Sequence, residues 1–99
     1  MDYENITNKE RAIIWIDSII NTCERVTPAN YMHHKNHIKA GVEEIMGMSE
    51  FKEIEHIQRS CRIIRNQCDF MTSGNMSHNI ACTKSQARYI KSLLEAYGK

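Results

Sequence analysis

The chain has 99 residues with 41% hydrophobic and 25% charged side chains, close to ordinary globular usage, which excludes disorder, collagen-like repetition and low complexity and leaves one domain over 1–99. Thirteen basic against twelve acidic side chains leave a net charge of +1, too little to drive long-range attraction to a polyanion and against a histone-like binder. No apolar run approaches the roughly 20 residues that span a bilayer, and the opening MDYENITNKER has neither segment of a secretory signal, so a cytoplasmic location, no membrane contact and four reduced cysteines are expected.

Thr7-Asn8-Lys9-Glu10 is a capping-box pattern that starts a helix at about Asn8. Ala12, Ile13, Ile16, Ile19, Ile20 and Cys23 keep the three-and-four spacing of one buried face, with Trp15 at its margin and Asp17, Asn21 and Glu24 opposite. Thr27-Pro28 reads as an N-cap followed by proline in the first helical position, opening a second helix that runs to about Met46. Tyr31, Ile38, Val42, Ile45 and Met46 form its core face, Gly41 weakens its middle, and Gly47 suits a left-handed stop.

Ser49 is expected to cap a third helix, with Glu50 and Glu53 at the positive end of its dipole and Ile54, Ile57, Cys61, Ile64, Cys68 and Met71 as its packing seam. The segment from Thr72 to Cys82 is rich in small polar residues without sustained periodicity and reads as a loop of about 11 residues, of the length at which loops often carry function. Thr83-Lys84-Ser85-Gln86 repeats the capping box and opens a last helix through Ala87, Ile90, Leu94 and Tyr97. The pattern is all-α, a small bundle of four helices with one longer loop at about 72–82, and contains no alternating strand, internal repeat or linker.

Chemistry-bearing motifs are sparse. No Walker-type loop, nucleophile elbow or zincin helix is present, so catalytic residues and cofactors are expected to be none. His33 and His37 stand one turn apart, a bidentate spacing, and His78 and Cys82 could add ligands, but no cysteines are paired at zinc-site spacing and a solvated polar face is the expected reading. Cys82, placed just ahead of the last helix with His78 four residues earlier, could hold a lowered thiol pKa, yet nothing orients a third group, and an inert packing thiol is expected.

Charge is polarised along the chain. Residues 1–27 carry Asp2, Glu4, Glu10, Asp17 and Glu24 against Lys9, Arg11 and Arg25, whereas residues 72–99 carry Lys84, Arg88, Lys91 and Lys99 against Glu95 alone. Arg59, Arg62 and Arg65 recur along the third helix, and Lys84, Arg88 and Lys91, with Tyr89 adjoining, form a similar stripe on the fourth. Two such ribbons, lying together, can meet a protein partner through arginine forks and an aromatic anchor, or track a phosphate backbone.

The strings Glu24-Arg25-Val26-Thr27-Pro28-Ala29-Asn30-Tyr31 and Lys84-Ser85-Gln86-Ala87-Arg88-Tyr89-Ile90, together with the size of the chain, look like small phage early proteins. More specifically, the chain resembles the anti-RecBCD accessory proteins of lambdoid phages. That resemblance implies a non-catalytic protein acting in a bacterial host cell, one that binds and inhibits or modifies the recombination nuclease RecBCD. Arg59, Arg62, Arg65, Lys84, Arg88, Tyr89 and Lys91 are then the expected contact residues, with little direct binding of nucleic acid. The alternative expectation is a nucleic-acid-binding accessory protein in phage recombination or replication. A small inhibitor of a CRISPR complex would present the same pattern.

Overall fold

The computed structural model describes residues 7–97. Four helices follow one another: α1 (Asn8–Cys23), α2 (Tyr31–Gly47), α3 (Glu55–Phe70) and α4 (Met76–Ala96), with a single 3-10 turn at Ser49–Phe51 between α2 and α3. No strand occurs among the described residues. Each helix packs on its neighbours in sequence, and α4 closes the ring onto α1. Short connections force consecutive helices to run antiparallel, and the contacts agree. Ser18 meets His37, Lys39 meets Asp69, and Asp17 meets Lys91. The chain is therefore an all-α four-helix bundle, and its Cα radius of gyration of 13.3 Å is that of one compact domain of this length.

The apolar seams meet at the centre. Ala12, Ile16, Ile19 and Cys23 of α1 join Ile38, Val42 and Ile45 of α2, Ile57, Cys61, Ile64 and Cys68 of α3, and Ala87, Ile90 and Leu94 of α4 in one buried cluster. Phe51, in the 3-10 turn, is fully buried and meets the ring of Tyr97 edge-on at 5.5 Å. Thr7 caps α1 as its sequence requires, its Oγ1 accepting from the Glu10 N–H at 3.1 Å.

Four sequence expectations are corrected by the backbone. Thr27-Pro28 does not open α2; the chain turns through 28–30 and the helix begins at Tyr31, because Asn30 Oδ1 captures the Thr27 N–H at 2.7 Å and so holds Thr27 in the turn. Gly47 is the last helical residue of α2 and has no left-handed φ; Met48, extended at φ −68° and ψ 123°, ends the helix. Ser49 begins only the 3-10 turn, and α3 starts at Glu55 behind Ile54, because Gln58 Nε2 donates to the carbonyls of Met46 and Phe51 and ties the turn down.

The fourth correction is the largest. The expected loop at 72–82 is a short turn at 72–75, and α4 already starts at Met76. Asn79 and Thr83 are buried on the inner face of α4, where apolar residues would have announced the helix. Asn79 is accommodated by donating to Asn75 Oδ1 at 2.7 Å, whereas Thr83 Oγ1 has no hydrogen-bond partner among the described residues. Thr83 is therefore a core residue of a continuous helix and caps nothing.

The expectation of no internal repeat is also overturned. A shift of 45 residues aligns the sequence of the α1–α2 hairpin with that of the α3–α4 hairpin: Ile19 with Ile64, Cys23 with Cys68, Thr27 with Thr72, Asn30 with Asn75, Lys39 with Lys84 and Ile45 with Ile90. The two turns are built alike. Thr27 N donates to Asn30 Oδ1 at 2.7 Å and Thr72 N to Asn75 Oδ1 at 2.7 Å; Asn30 Nδ2 donates to Arg25 O at 3.2 Å and Asn75 Nδ2 to Phe70 O at 3.0 Å. Contacts between the hairpins are reciprocal. Lys39 of the first pairs with Asp69 of the second, and Lys84, equivalent to Lys39, pairs with Glu24, equivalent to Asp69. Such exchange of partners is the mark of an isologous, two-fold relation.

Candidate functional site

The basic residues of the two expected ribbons differ in what their helices bring near them. On the α1/α4 seam, Lys91 Nζ lies 2.7 Å from Asp17 Oδ1, Lys84 pairs with Glu24, and Lys9 Nζ donates to the Tyr97 carbonyl at 2.9 Å. The Lys84 ammonium holds the Glu24 carboxyl below its ordinary value, by hydrogen bonding first and by charge second, and Arg88 adds a smaller lowering. Asp17 in turn raises Lys91. The polarity seen along the sequence, acidic at the start and basic at the end, is thus largely spent inside the fold.

On α3, residues three apart step back around the helix by about 60° each, so the three arginines fan across its outer face. Arg65 falls toward α2, where its charge acts on the Lys39–Asp69 pair, which lowers Asp69 and raises Lys39 chiefly through a 2.7 Å hydrogen bond. Arg62 in the middle is occupied by Glu55 at 3.0 Å on its own helix. Arg59 falls toward α4 and is exposed. The two ribbons therefore do not merge: Lys84 and Lys91 face α1, and Arg59 lines the opposite flank of α4 with Tyr89.

Arg59 and Tyr89 line an open groove of about 240 Å³ between α3 and α4, together with His56, Ser60, Ile63 and Gln86. Tyr89 is 44% exposed, and Ser60 at the groove floor is 3% exposed. No carboxylate is among these lining residues. Of the expected contact residues, only Arg59 and Tyr89 are placed together in a concavity. His56, Ser60, Ile63 and Gln86 were missed by pattern reasoning, since none stands out by residue type. The signal that finds them is the 45-residue register, which sets Ser60 and Gln86 opposite Trp15 and Gly41.

The other candidates for chemistry are used structurally. His37 Nε2 lies 3.0 Å from Ser18 Oγ and its ring stands 5.6 Å from that of Trp15, so it is engaged with α1, while the His33 ring lies 5.4 Å from that of His34, tilted by 60°. No cluster of three or more His, Cys, Asp or Glu side chains able to hold a metal occurs among the described residues. Cys82 lies in the second turn of α4, well inside the helix, which removes the exposed helix-end setting expected for it. All four thiols are free; burial pushes Cys23 up to about 11 and Cys61 and Cys68 up to about 12, so these three are protonated and inert at neutral pH. A second cavity, about 330 Å³, opens between the end of α1 and the start of α4, and Cys23 on its wall offers it no thiolate.

No described helix is long and apolar enough to cross a membrane. Comparison with protein-family models, curated proteins and solved structures finds no match to this chain.

Proposed function

We propose that the chain is a non-catalytic interaction protein that docks on a host enzyme complex, of the class of the bacterial recombination nuclease RecBCD, and inhibits or modifies it. The observation that carries this reading is the α3/α4 groove, where Arg59 and the exposed Tyr89 face outward with no acid among the lining residues, while Lys84, Lys91, Arg62 and Lys39 are engaged within the fold. Arginine and tyrosine are favoured anchors of protein interfaces. The resemblance to anti-RecBCD proteins supplies the partner class and the bacterial cytoplasm as the place of action.

A nucleic-acid role would need a continuous basic track with stacking partners, and the ion pairs of Lys84 and Lys91 interrupt it. The test is retention of purified RecBCD by the tagged chain, with nuclease activity measured beside it. Retention with altered activity, both lost on Arg59→Glu, is expected. Absence of retention, together with DNA binding whose log affinity falls steeply with log salt, about 0.9 per phosphate neutralised, would establish the nucleic-acid reading instead.

A further inference from the structure

His78 and Cys82 stand one turn apart on α4, the spacing at which two side chains share a helix face with their Cβ atoms about 5–6 Å apart. His78 is exposed and Cys82 is half-buried, whereas the thiols of Cys23, Cys61 and Cys68 are buried in the core. The matching pair in the first hairpin is His33 and His37, and there His37 is engaged by Ser18 Oγ at 3.0 Å and by the Trp15 ring. The same register in the second hairpin holds Ile63 for Ser18 and Ser60 for Trp15. Cys82 therefore has neither the hydroxyl nor the indole that occupies His37.

An imidazole and a thiol at this spacing make a bidentate half-site for a borderline-soft cation, zinc above all. The chain does not complete it: no three His, Cys, Asp or Glu side chains converge among the described residues, and α4 carries no acid before Glu95. The carboxylates of Glu24 and Asp69, at this end of the bundle, are held by Lys84 and Lys39. We infer that His78 and Cys82 bind a zinc ion on a two-fold axis between two copies of this chain, each copy giving one imidazole and one thiolate. Closed zinc sites take four ligands in a tetrahedron, Cys2His2 among the common sets. A chain that supplies two is completed by a copy that supplies the same two, since a two-fold contact uses one patch on both partners. Charge also balances. The two thiol protons pass to solvent as the zinc–sulfur bonds form, and the two thiolates neutralise the ion, so the bound metal adds no net charge where two basic faces meet. Phe70, 73% exposed and the most exposed large apolar side chain among the described residues, ends α3 beside the half-site. Its carbonyl accepts from Asn75 Nδ2 at 3.0 Å, and Asn75 Oδ1 accepts from Asn79, the neighbour of His78, at 2.7 Å. A second copy seated on the metal gives that ring apolar cover. The inference goes beyond the docking reading and does not rest on it.

The experiment takes the full chain with a phosphine reductant, which prevents a Cys82–Cys82 disulfide, and follows its mass by light scattering as zinc is added. The mass should double as zinc reaches half an equivalent per chain, return on adding a chelator, and stay unchanged with magnesium, a hard cation that thiolates do not favour. Cobalt(II) in place of zinc should give the intense visible bands of a tetrahedral ion, with thiolate charge transfer beside them. His78→Ala and Cys82→Ser, one at an exposed and one at a half-buried position, should keep the helical spectrum, lose the dimer and weaken zinc binding by about tenfold or more, the tenfold corresponding to about 1.4 kcal/mol. His33→Ala should change neither mass nor affinity. One zinc per chain on a monomer, a dimer that survives the chelator, or zinc binding that persists in both variants would overturn the inference, as would loss of the dimer on His33→Ala. Nuclease retention is scored apart from this. Retention by a chain that zinc does not dimerise would remove the metal site and leave the docking reading intact, and a zinc dimer with no nuclease retained would do the reverse.

Discussion

Trp15 against Gly41 in the first hairpin and Ser60 against Gln86 in the second occupy the same register of the same supersecondary unit, yet they solve the packing of two helices in opposite ways. The first closes its helix pair with a large ring on a bare backbone. The second sets a small hydroxyl opposite a long flexible amide and leaves a concavity facing solvent. In two other respects the halves match: the turns share their hydrogen bonds, and the ion pairs exchange partners. The two hairpins are alike in their turns and latches and differ here, where one helix pair is closed by a ring and the other carries a concavity.

The comparison can be broken most forcefully in the core. Ile19→Ala and Ile64→Ala remove equivalent, fully buried side chains and should each cost about 2 to 5 kcal/mol in urea unfolding. A cost under about 1 kcal/mol for either would show that its seam is not interior. Next in size is the indole contact. Gly41→Ala places a Cβ 2.8 Å from Trp15 Cε3 and 3.0 Å from Ile19 Cδ1, and should destabilise by about 1 to 3 kcal/mol despite the better helix propensity of alanine. Gln86→Ala, beside an open groove, should stay within about 0.5 kcal/mol. Equal effects of the two would erase the distinction between a filled and an open seam.

The turns offer a finer test. Asn30→Ala and Asn75→Ala each remove two hydrogen bonds to the backbone, at about 1 kcal/mol for each substitution. Asn75→Ala should cost more, because it also strands the buried amide of Asn79. Thr83→Val runs the other way. Thr83 stands where the first hairpin has Ile38, and its buried hydroxyl is unpartnered among the described residues, so the isosteric apolar side chain should stabilise by about 1 kcal/mol.

The smallest effect expected is electrostatic. Glu24 and Asp69 are held below their ordinary values of 4.5 and 3.8 by their lysines. A depressed carboxylate contributes stability that is present above its unfolded pKa and is lost as pH falls through the folded one. Both latches should therefore weaken together below about pH 4.5, and added salt should screen them at neutral pH. A thermal-unfolding series in which Lys39→Met removes the acid sensitivity of one latch and leaves that of the other would check their equivalence.

Helix type and most of the core were legible because periodicity is carried by isoleucines, whose spacing on α1 and α3 leaves no competing reading. The start of α4 was not legible, since Asn79 and Thr83 place polar atoms on its inner face and interrupt the apolar period by which a helix is read. Thr27-Pro28 was misread for a related reason. Its capping grammar is satisfied locally, but the Asn30 side chain, three residues on, captures the Thr27 N–H and moves the helix start. Of the candidate site, Arg59 and Tyr89 stand out by type. Their separation from Lys84 and Lys91 depends on which flank of α4 each faces, and that is settled only when α1 supplies Asp17 and Glu24. The repeat is faint in the sequence because apolar matches such as Ile19 with Ile64 are expected between any two amphipathic helices, which leaves turn matches such as Thr27 with Thr72 and Asn30 with Asn75 to carry it.

The link between the hairpins gives the repeat a further meaning. Two helix pairs that meet through reciprocal contacts would, if separate, associate with an affinity that depends on their concentration; joined by residues 48–54, they find each other at the effective concentration set by a short tether. Here the tether is also anchored. Phe51 is fully buried beside Tyr97, and Gln58 grips the carbonyls of Met46 and Phe51. Exchange of hairpins between two chains would first have to extract that phenylalanine and break those bonds, so the same seven residues that connect the halves also oppose their trading partners.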